Sequence, residues 1–432
     1  MARQMKDSGV EWIGEIPEDW SILPLGNCFN ERNEKVSDYD WEPLSVTKQG
    51  IVKQLETAAK SDAHDARKKV CERDFVINSR SDRKQSCGVS AYDGSVSLIN
   101  IVLSSRFLNT EYVKYLLKNY GFAEEFYRWG TGIVADLWST KYERMKKIML
   151  PIPKENEQLK IADFLDEKVG EIDSVIAKTK ETIEDYKKYK QAIITDTVTK
   201  GLNPNVEMKE SGIDYLKNIP CNWGVIPISI AFNFIGGYAY KSDRFCGKTP
   251  YQVIRLGNVK NDNFIIDEKC VFIDEEYAKE SEKSKICKDD ILFTMTGTRG
   301  KKDYFYTLIV KDKDLQKRTL FLNQRVGCFR KAIDQVFMPY YNYLLKYQNI
   351  CDYIFLSETG TANQGNIGIE SINTTKLLLP PLEEQREIAE YLDEKCSEID
   401  KLIAKKEELL VDLESYKKSL IYEYVTGKKE VE

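Results

Sequence analysis

The sequence predicts an α+β protein with an internal repeat: two mixed α/β domains with strongly bent sheets, joined by two long helices of coiled-coil character. Three observations predict it. The first is duplication. Met5-Lys6-Asp7-Ser8-Gly9, running on to Ile16-Pro17-Glu18-Asp19-Trp20, recurs from 208 onward, an offset of 203, as Met208-Lys209-Glu210-Ser211-Gly212 and Ile219-Pro220-Cys221-Asn222-Trp223. Phe164-Leu165-Asp166-Glu167-Lys168, with Glu171-Ile172-Asp173, recurs from 391, an offset of 227, as Tyr391-Leu392-Asp393-Glu394-Lys395 with Glu398-Ile399-Asp400. Repeats at so long a period denote duplicated domains, since solenoid units run to about 20–50 residues. The second observation is a seven-residue apolar period in the later block. The third is the texture between the repeats, where short β-branched and aromatic runs alternate with turn residues.

The elements follow in chain order: a first mixed domain over 1–150, a helix over 151–202, a second mixed domain over 203–379 and a second helix over 380–432. In the first domain Phe75-Val76-Ile77 and Val96 to Leu103 read as strands, and Glu111 to Glu125 as helix. After the Pro151-Ile152-Pro153 breaker, the positions Ala162, Leu165, Val169, Ile172, Ile176, Thr179, Ile183, Tyr186, Lys190, Ile193 and Thr197 keep a heptad. Lys200-Gly201-Leu202-Asn203-Pro204 reads as a helix stop and turn. The second domain places strands at Tyr251 to Leu256 and Asp290 to Met295, and helix at Tyr340 to Leu356. Pro380-Pro381 opens a helix whose heptad is Ala389, Leu392, Cys396, Ile399, Ile403, Lys406, Leu410, Leu413, Lys417, Leu420 and Tyr424. Seams this long need a partner helix, and the obvious partner for each is the other copy. A helix of roughly 40 residues is about 60 Å long, so such a pair makes a rod. Trp20 and Trp223 are expected to pack each domain onto a helix end and are given no binding role. The two domains between the repeats show no resemblance to each other in sequence.

Composition bounds the function. A hydrophobic share of 42% in 432 residues is that of a globular chain with room for two to four domains. No apolar run approaches the ~18 residues of a membrane span, and the opening residues lack the apolar stretch of a signal peptide, so a cytoplasmic location is expected. The ten cysteines stand singly without a Cys-x-x-Cys pair, which points away from a zinc site and a disulfide framework. Net charge is −5, but it is segregated: Arg299 to Lys331 holds ten Lys/Arg against three Asp/Glu. Overall charge therefore does not exclude nucleic acid.

Several loops carry groups that pair with phosphates and purine edges. In the first domain these are Arg67-Lys68-Lys69, the segment after a strand that holds Arg80, Arg83, Lys84 and Gln85, and Arg128 with Thr131. In the second they are Thr296, Thr298, Arg299, Lys301 and Lys302 after a strand, Gln324 with Arg325, and the glycine-rich run holding Thr361, Asn363 and Gln364. Single basic turns are common on any surface; their occurrence at corresponding places in two unlike domains strengthens the joint reading.

No catalytic constellation is expected. His64, the one histidine, sits in a polar stretch and reads as a surface residue. Cys246-Gly247-Lys248-Thr249 resembles the end of a phosphate-binding loop, but Ser242 stands where its first glycine should be. Neither a dinucleotide fingerprint nor an amino-methyltransferase Asn-Pro-Pro-aromatic box is present.

The interleaved duplication, the Ile-Pro-x-x-Trp motif and Pro380-Pro381-Leu382-Glu383-Glu384-Gln385 opening a heptad helix together resemble the specificity subunit of type I restriction-modification systems, over essentially the whole chain. The first helix departs from that opening, reading Pro153-Lys154-Glu155-Asn156-Glu157-Gln158, which bears on local packing only. The resemblance implies two target-recognition domains at the ends of two antiparallel helices related by a pseudo-twofold axis. Each domain would read one half of a bipartite site in double-stranded DNA, with the loops at Arg80 to Gln85 and Thr296 to Lys302 at the DNA. The helices would dock two methyltransferase subunits, with restriction subunits as further partners. It also implies that this chain is no enzyme and binds no cofactor: adenine-N6 methylation, with S-adenosylmethionine, ATP and Mg, would belong to partner subunits. A rod holding two readers measures the distance between two short sequences, so four residues inserted in both helices are expected to widen the recognised spacer by about two base pairs. The alternative reading is a coiled-coil scaffold whose end domains bind proteins; sequence-specific DNA footprints separate the two.

Overall fold

A computed structural model describes residues 3–54, 65–132, 138–361 and 363–431; His64 lies outside them. The chain divides into two compact units, one of residues 1–182 with 405–432 and the other of residues 183–404. Each unit therefore combines one mixed domain with a segment of both long helices.

The first unit is built on a four-stranded antiparallel sheet of β1 (Phe29–Glu31), β2 (Phe75–Asn78), β3 (Cys87–Val89) and β4 (Asn100–Ser105), in the order β3-β2-β4-β1. β2 is buried along its whole length, as an apolar run covered on both faces must be. The helices α1 (Thr110–Leu116) and α2 (Tyr120–Arg128) follow, and then α3 (Glu155–Lys200). A smaller sheet pairs Lys35–Val36, Arg67–Val70 and Gly94–Ser97, all antiparallel.

In the second unit the main sheet contains β5 (Phe232–Gly236), β6 (Ile291–Thr294), β7 (Thr307–Ile309) and β8 (Val326–Lys331), in the order β7-β6-β8-β5, again antiparallel. Matching β2 with β6 and β4 with β8 superposes the two orders, so the domains share a frame that their sequences hide. α4 (Met338–Leu344), α5 (Gln348–Phe355) and α6 (Leu382–Val425) complete it. The smaller sheet differs. Tyr251–Ile254 pairs antiparallel with Val271–Ile273 but parallel with Thr319–Leu322.

Three expected elements are broken in the structure. Val96 to Leu103 forms two strands in different sheets, joined by a turn at Leu98-Ile99 whose side chains are exposed, with Asn100 Nδ2 donating to the Ser97 carbonyl. Apolar side chains at the turn disguised it. Glu111 to Glu125 is split at Asn119, whose Oδ1 accepts from Phe122 N at 2.9 Å, capping α2 while Nδ2 donates to Leu116 O. The helix expected over Tyr340 to Leu356 breaks at the same place, between α4 and α5.

The duplicated motifs explain themselves as helix-end joints. Trp20 is 1% exposed and its Nε1 donates to Glu157 in the first turn of α3 at 2.9 Å; Trp223, also 1% exposed, donates to Glu384 in the first turn of α6 at 2.9 Å. Beside each indole lies the end of the other helix. Gly427, just past α6, has φ +70° and a Cβ there would meet Pro17 at 2.4 Å; Gly201, just past α3, has φ +77° and a Cβ there would meet Glu384 at 2.6 Å. Only glycine suits those left-handed helix ends. Gln158 and Gln385 are buried and bridge from the helix starts: Gln158 accepts from Asn109 N and donates to Pro153 O, while Gln385 accepts from Phe337 N and donates to Pro380 O and Gln335 O. The irregular opening of α3 thus keeps the same glutamine contacts.

Through the middle of both helices the heptad positions are the less exposed ones, while at the ends Ile194, Val198 and Val425, off the heptad, are buried. In the first unit Phe164 packs on Tyr424, ring centroids 4.4 Å apart, and Asp173 accepts from Lys417 at 2.6 Å, so the segments run antiparallel. Lys190 pairs with Asp400 in the second unit at 2.7 Å. Tyr112 donates to Val425 O and Tyr340 to Val198 O, both at 3.1 Å, tying the domains to the helix ends.

Candidate nucleic-acid interface

β2 and β6 occupy the same place in their sheets, and each runs out into a three-segment patch. After β6, Met295 donates to Arg325 O and accepts from Ile367 N, which joins three chain segments. Thr296 and Gly297 then pair with Asn366 and Gly365, and Thr359–Thr361 closes a hairpin on Gln364–Asn366. The loops expected at Thr296 to Lys302, at Gln324-Arg325 and at Thr361 to Gln364 are thus neighbours. Distance in sequence concealed this.

The loop after Gly297 is held from beneath. Glu358 accepts from Gly300 N at 3.0 Å and from Tyr304 OH at 2.7 Å, and Thr298 N donates to Asp303 at 2.7 Å. Those hydrogen bonds from Thr298 keep the Asp303 carboxyl below its ordinary range. Gly300 sits at φ +76°. Arg299 Nη1 donates to Gly360 O at 3.0 Å, and Lys302 pairs with Asp352 at 2.5 Å. Arg299, Lys301, Gln324, Arg325, Thr361 and Asn363 are exposed; Thr296, Thr298 and Gln364 are half-buried. A preordered rim of guanidinium, ammonium, amide and hydroxyl groups suits phosphates and base edges, and little flexibility is lost when it binds.

In the first unit, Arg80 and Thr131 both bridge to Ser139, Ser79 Oγ lies 2.9 Å from Ser139 Oγ, and Thr140 N donates to Ser79 O. Residues 133–137, which join two of these segments, lie outside the described ones. Tyr127 OH donates to Arg83 O at 3.2 Å, and Gln85 adopts φ +61° to turn the chain into β3. The cations are more engaged than in the second unit. Arg80 and Arg83 share Asp82, Lys84 faces Glu124, and Arg128 pairs with Glu11 at 2.8 Å.

The first basic triplet lies elsewhere. Arg67 and Lys68, each 8% exposed, are strand residues of the small sheet: Arg67 donates to Ser95 Oγ and Ser95 O, and Lys68 pairs with Glu31. Lys69 pairs with Glu34 and lies over the Trp41 ring. Burial withdraws Arg67 and Lys68 from the candidate surface, because their charges satisfy the fold itself.

A signal in the sequence could have aligned the two units. Tyr112-x-x-Tyr115-Leu116-Leu117-Lys118 and Tyr340-x-x-Tyr343-Leu344-Leu345-Lys346 match at an offset of 228. Tyr115 donates to Asp166 and Tyr343 to Asp393, the aspartates of the repeated helix motif.

Residues 220–410 match the family model described as type I restriction modification DNA specificity domain. The MjaVIII specificity subunit of a type I restriction enzyme from Methanocaldococcus jannaschii is 24% identical over 428 residues, spanning 96% of this chain and 93% of that one. The EcoKI specificity subunit from Escherichia coli is 28% identical over 218 residues, 49% of this chain and 44% of its own length. Among solved structures, a chain from work on complex assembly and conformational transition of the type I R-M system aligns at a TM-score of 0.70 with 13% identity, covering 96% of this chain and 99% of that one. The HsdS subunit from Thermoanaerobacter tengcongensis aligns at 0.51 with 14% identity, covering 98% and 100%. At these identities the structural matches establish fold alone.

Proposed function

We propose that this chain is the specificity subunit of a type I restriction-modification system and that each of its two units reads one half of a bipartite, asymmetric DNA site. The chain is the DNA-recognition subunit; the chemistry on DNA, adenine-N6 methylation, falls to partner subunits that carry S-adenosylmethionine, ATP and Mg. The observation that carries the reading is the repeated patch. The same strand of the same sheet opens into the same three-segment surface in both units, yet the side chains on that surface differ. A common frame with unlike rims is what an asymmetric site requires.

The long helices present a repeated face for two methyltransferase subunits. Affinity comes largely from phosphates and falls with salt, while sequence choice comes from a few side chains at base edges. Candidate contacts are Arg80, Arg83, Lys84, Gln85, Arg128 and Thr131 in the first unit, and Thr296 to Lys302, Gln324, Arg325 and Thr361 to Gln364 in the second. No helix among the described residues is long and apolar enough to cross a membrane, and a cytoplasmic location fits a DNA reader.

The test is a genome-wide map of N6-methyladenine in a methylation-free bacterium carrying the chain with its methyltransferase subunit, against one lacking the chain. A bipartite, asymmetric motif that vanishes with the chain is expected. Unchanged methylation with both proteins soluble and assembled would instead favour a scaffold.

A further inference from the structure

The second unit contains a parallel strand pair that the described residues of the first do not form. Tyr251–Ile254 and Thr319–Leu322 form the one parallel strand pair among the described residues, so both strands end on the same side. Asn323 N donates to Ile254 O at 2.9 Å, which sets the turn after one strand beside the turn after the other. Between them opens a cleft of about 600 Å³ lined by Arg255, Glu268, Lys269, Asn323, Gln324 and Arg325. It adjoins the patch described above, because Arg325 O accepts from Met295 N at 3.1 Å. In the first unit the three-stranded small sheet is antiparallel, and among its described residues the parallel association is a single bridge, Pro43 to Ser95, rather than a paired strand.

Arg255 is preordered in this cleft. Its backbone N donates to Asn258 Oδ1 at 2.8 Å, fixing the turn, and its Nη2 donates to Lys269 O at 3.0 Å, fixing the guanidinium. The other guanidinium N–H groups have no partner among the described residues. The lining is mixed, with Arg255, Lys269 and Arg325 beside one carboxylate, Glu268, and the amides of Asn323 and Gln324. Glu268 would repel a phosphate, whereas a carboxylate accepts from the cytosine amino group, and a guanidinium pairs with guanine O6 and N7. Arginine beside carboxylate and amides is a set of donors and acceptors for the edge of a G·C pair.

We propose that Arg255 is a specificity-determining residue that reads the guanine of one G·C pair in the half-site bound by the second unit, with Glu268, Gln324 and Arg325 completing the cleft around that pair. This rests on the DNA-recognition reading above.

The experiment uses the complex of the full chain with its methyltransferase subunit and duplexes carrying the mapped motif. Each guanine is replaced in turn by 7-deazaguanine, which lacks the N7 acceptor. With the unaltered chain, one guanine should cost about tenfold in affinity, in the range of a lost bidentate contact. For Arg255→Lys, which keeps the charge and loses the fork, that same replacement should cost less than about twofold. In the methylation map Arg255→Ala should relax the motif at that one position and leave the other half-site unchanged. The proposal is overturned if no guanine shows the loss with the unaltered chain, or if Arg255→Lys keeps full sensitivity. Either result leaves the bipartite motif in place; absence of any chain-dependent motif would sink the broader reading.

Discussion

The two units share a frame and differ in what hangs from it. In both, a four-stranded antiparallel sheet of one order leads into two short helices, and a buried tryptophan of the domain and a buried glutamine of the long helix fasten the two together. In the first unit the small sheet is antiparallel and buries its basic strand; in the second it contains a parallel pair and opens a cleft. The two copies keep one set of residues in common and differ in another. Those that join sheet to helix are repeated in both units, while those that ride on the strand ends, the proposed recognition surface, are not.

The largest expected effect tests the sameness of the frame. Trp20→Ala and Trp223→Ala each remove a fully buried indole and its hydrogen bond, and each should cost about 3–5 kcal/mol in urea unfolding. Costs differing by more than about 2 kcal/mol would break the equivalence of the two joints. Next comes a buried ion pair that the units reach by different routes. Asp74, just before β2, is held by Arg32, and Asp290, just before β6, by Arg330 from β8, at 2.6 and 2.7 Å. Either aspartate changed to alanine leaves an arginine without its partner and should cost about 3 kcal/mol. A loss confined to one unit would mean that only one arginine is truly desolvated.

A smaller effect separates assembly from recognition. Glu358→Ala frees the Gly300 loop and Tyr304 in the second unit alone. DNA affinity measured by fluorescence anisotropy should fall roughly three- to tenfold, about 1 kcal/mol of lost preorganisation, while the motif of the first half-site is retained. Relaxation of both half-sites would mean that the two surfaces are not independent. The smallest effect concerns acid. Burial raises the Asp166 carboxyl, but Lys114 and Tyr115 outweigh it and hold the group below its ordinary value. Its contribution is therefore present above the unfolded value of about 3.9 and is lost as pH falls through the lower folded one. Since the pair is well exposed, Asp166→Asn should flatten the acid limb of stability by less than about 1 kcal/mol. In the second unit Asn342 stands where that lysine does, so added salt should weaken the Lys114–Asp166 pair and leave the Tyr343–Asp393 hydrogen bond unchanged; an equal salt response would erase this contrast.

The duplicated plan, the two helices and the packing role of the tryptophans are legible in the amino-acid sequence. Those features are local or periodic: Pro380-Pro381 stops one element, the heptads require a partner, and Gly201 ends a helix wherever the chain goes next. The sequence also marked most of the candidate rim, because Arg299 or Arg80 in a polar turn is visible without coordinates. Only the tertiary structure decided which of those turns meet. Thr296, Arg325 and Gln364 become neighbours through strand pairing across tens of residues, and pairing registers depend on burial that no local pattern records. The same physics misled the reading of Arg67 and Lys68, whose charges look solvated in sequence and are spent inside a sheet. It also hid Arg255, an unremarkable strand-end residue until a parallel partner brings Gln324 and Arg325 across from it.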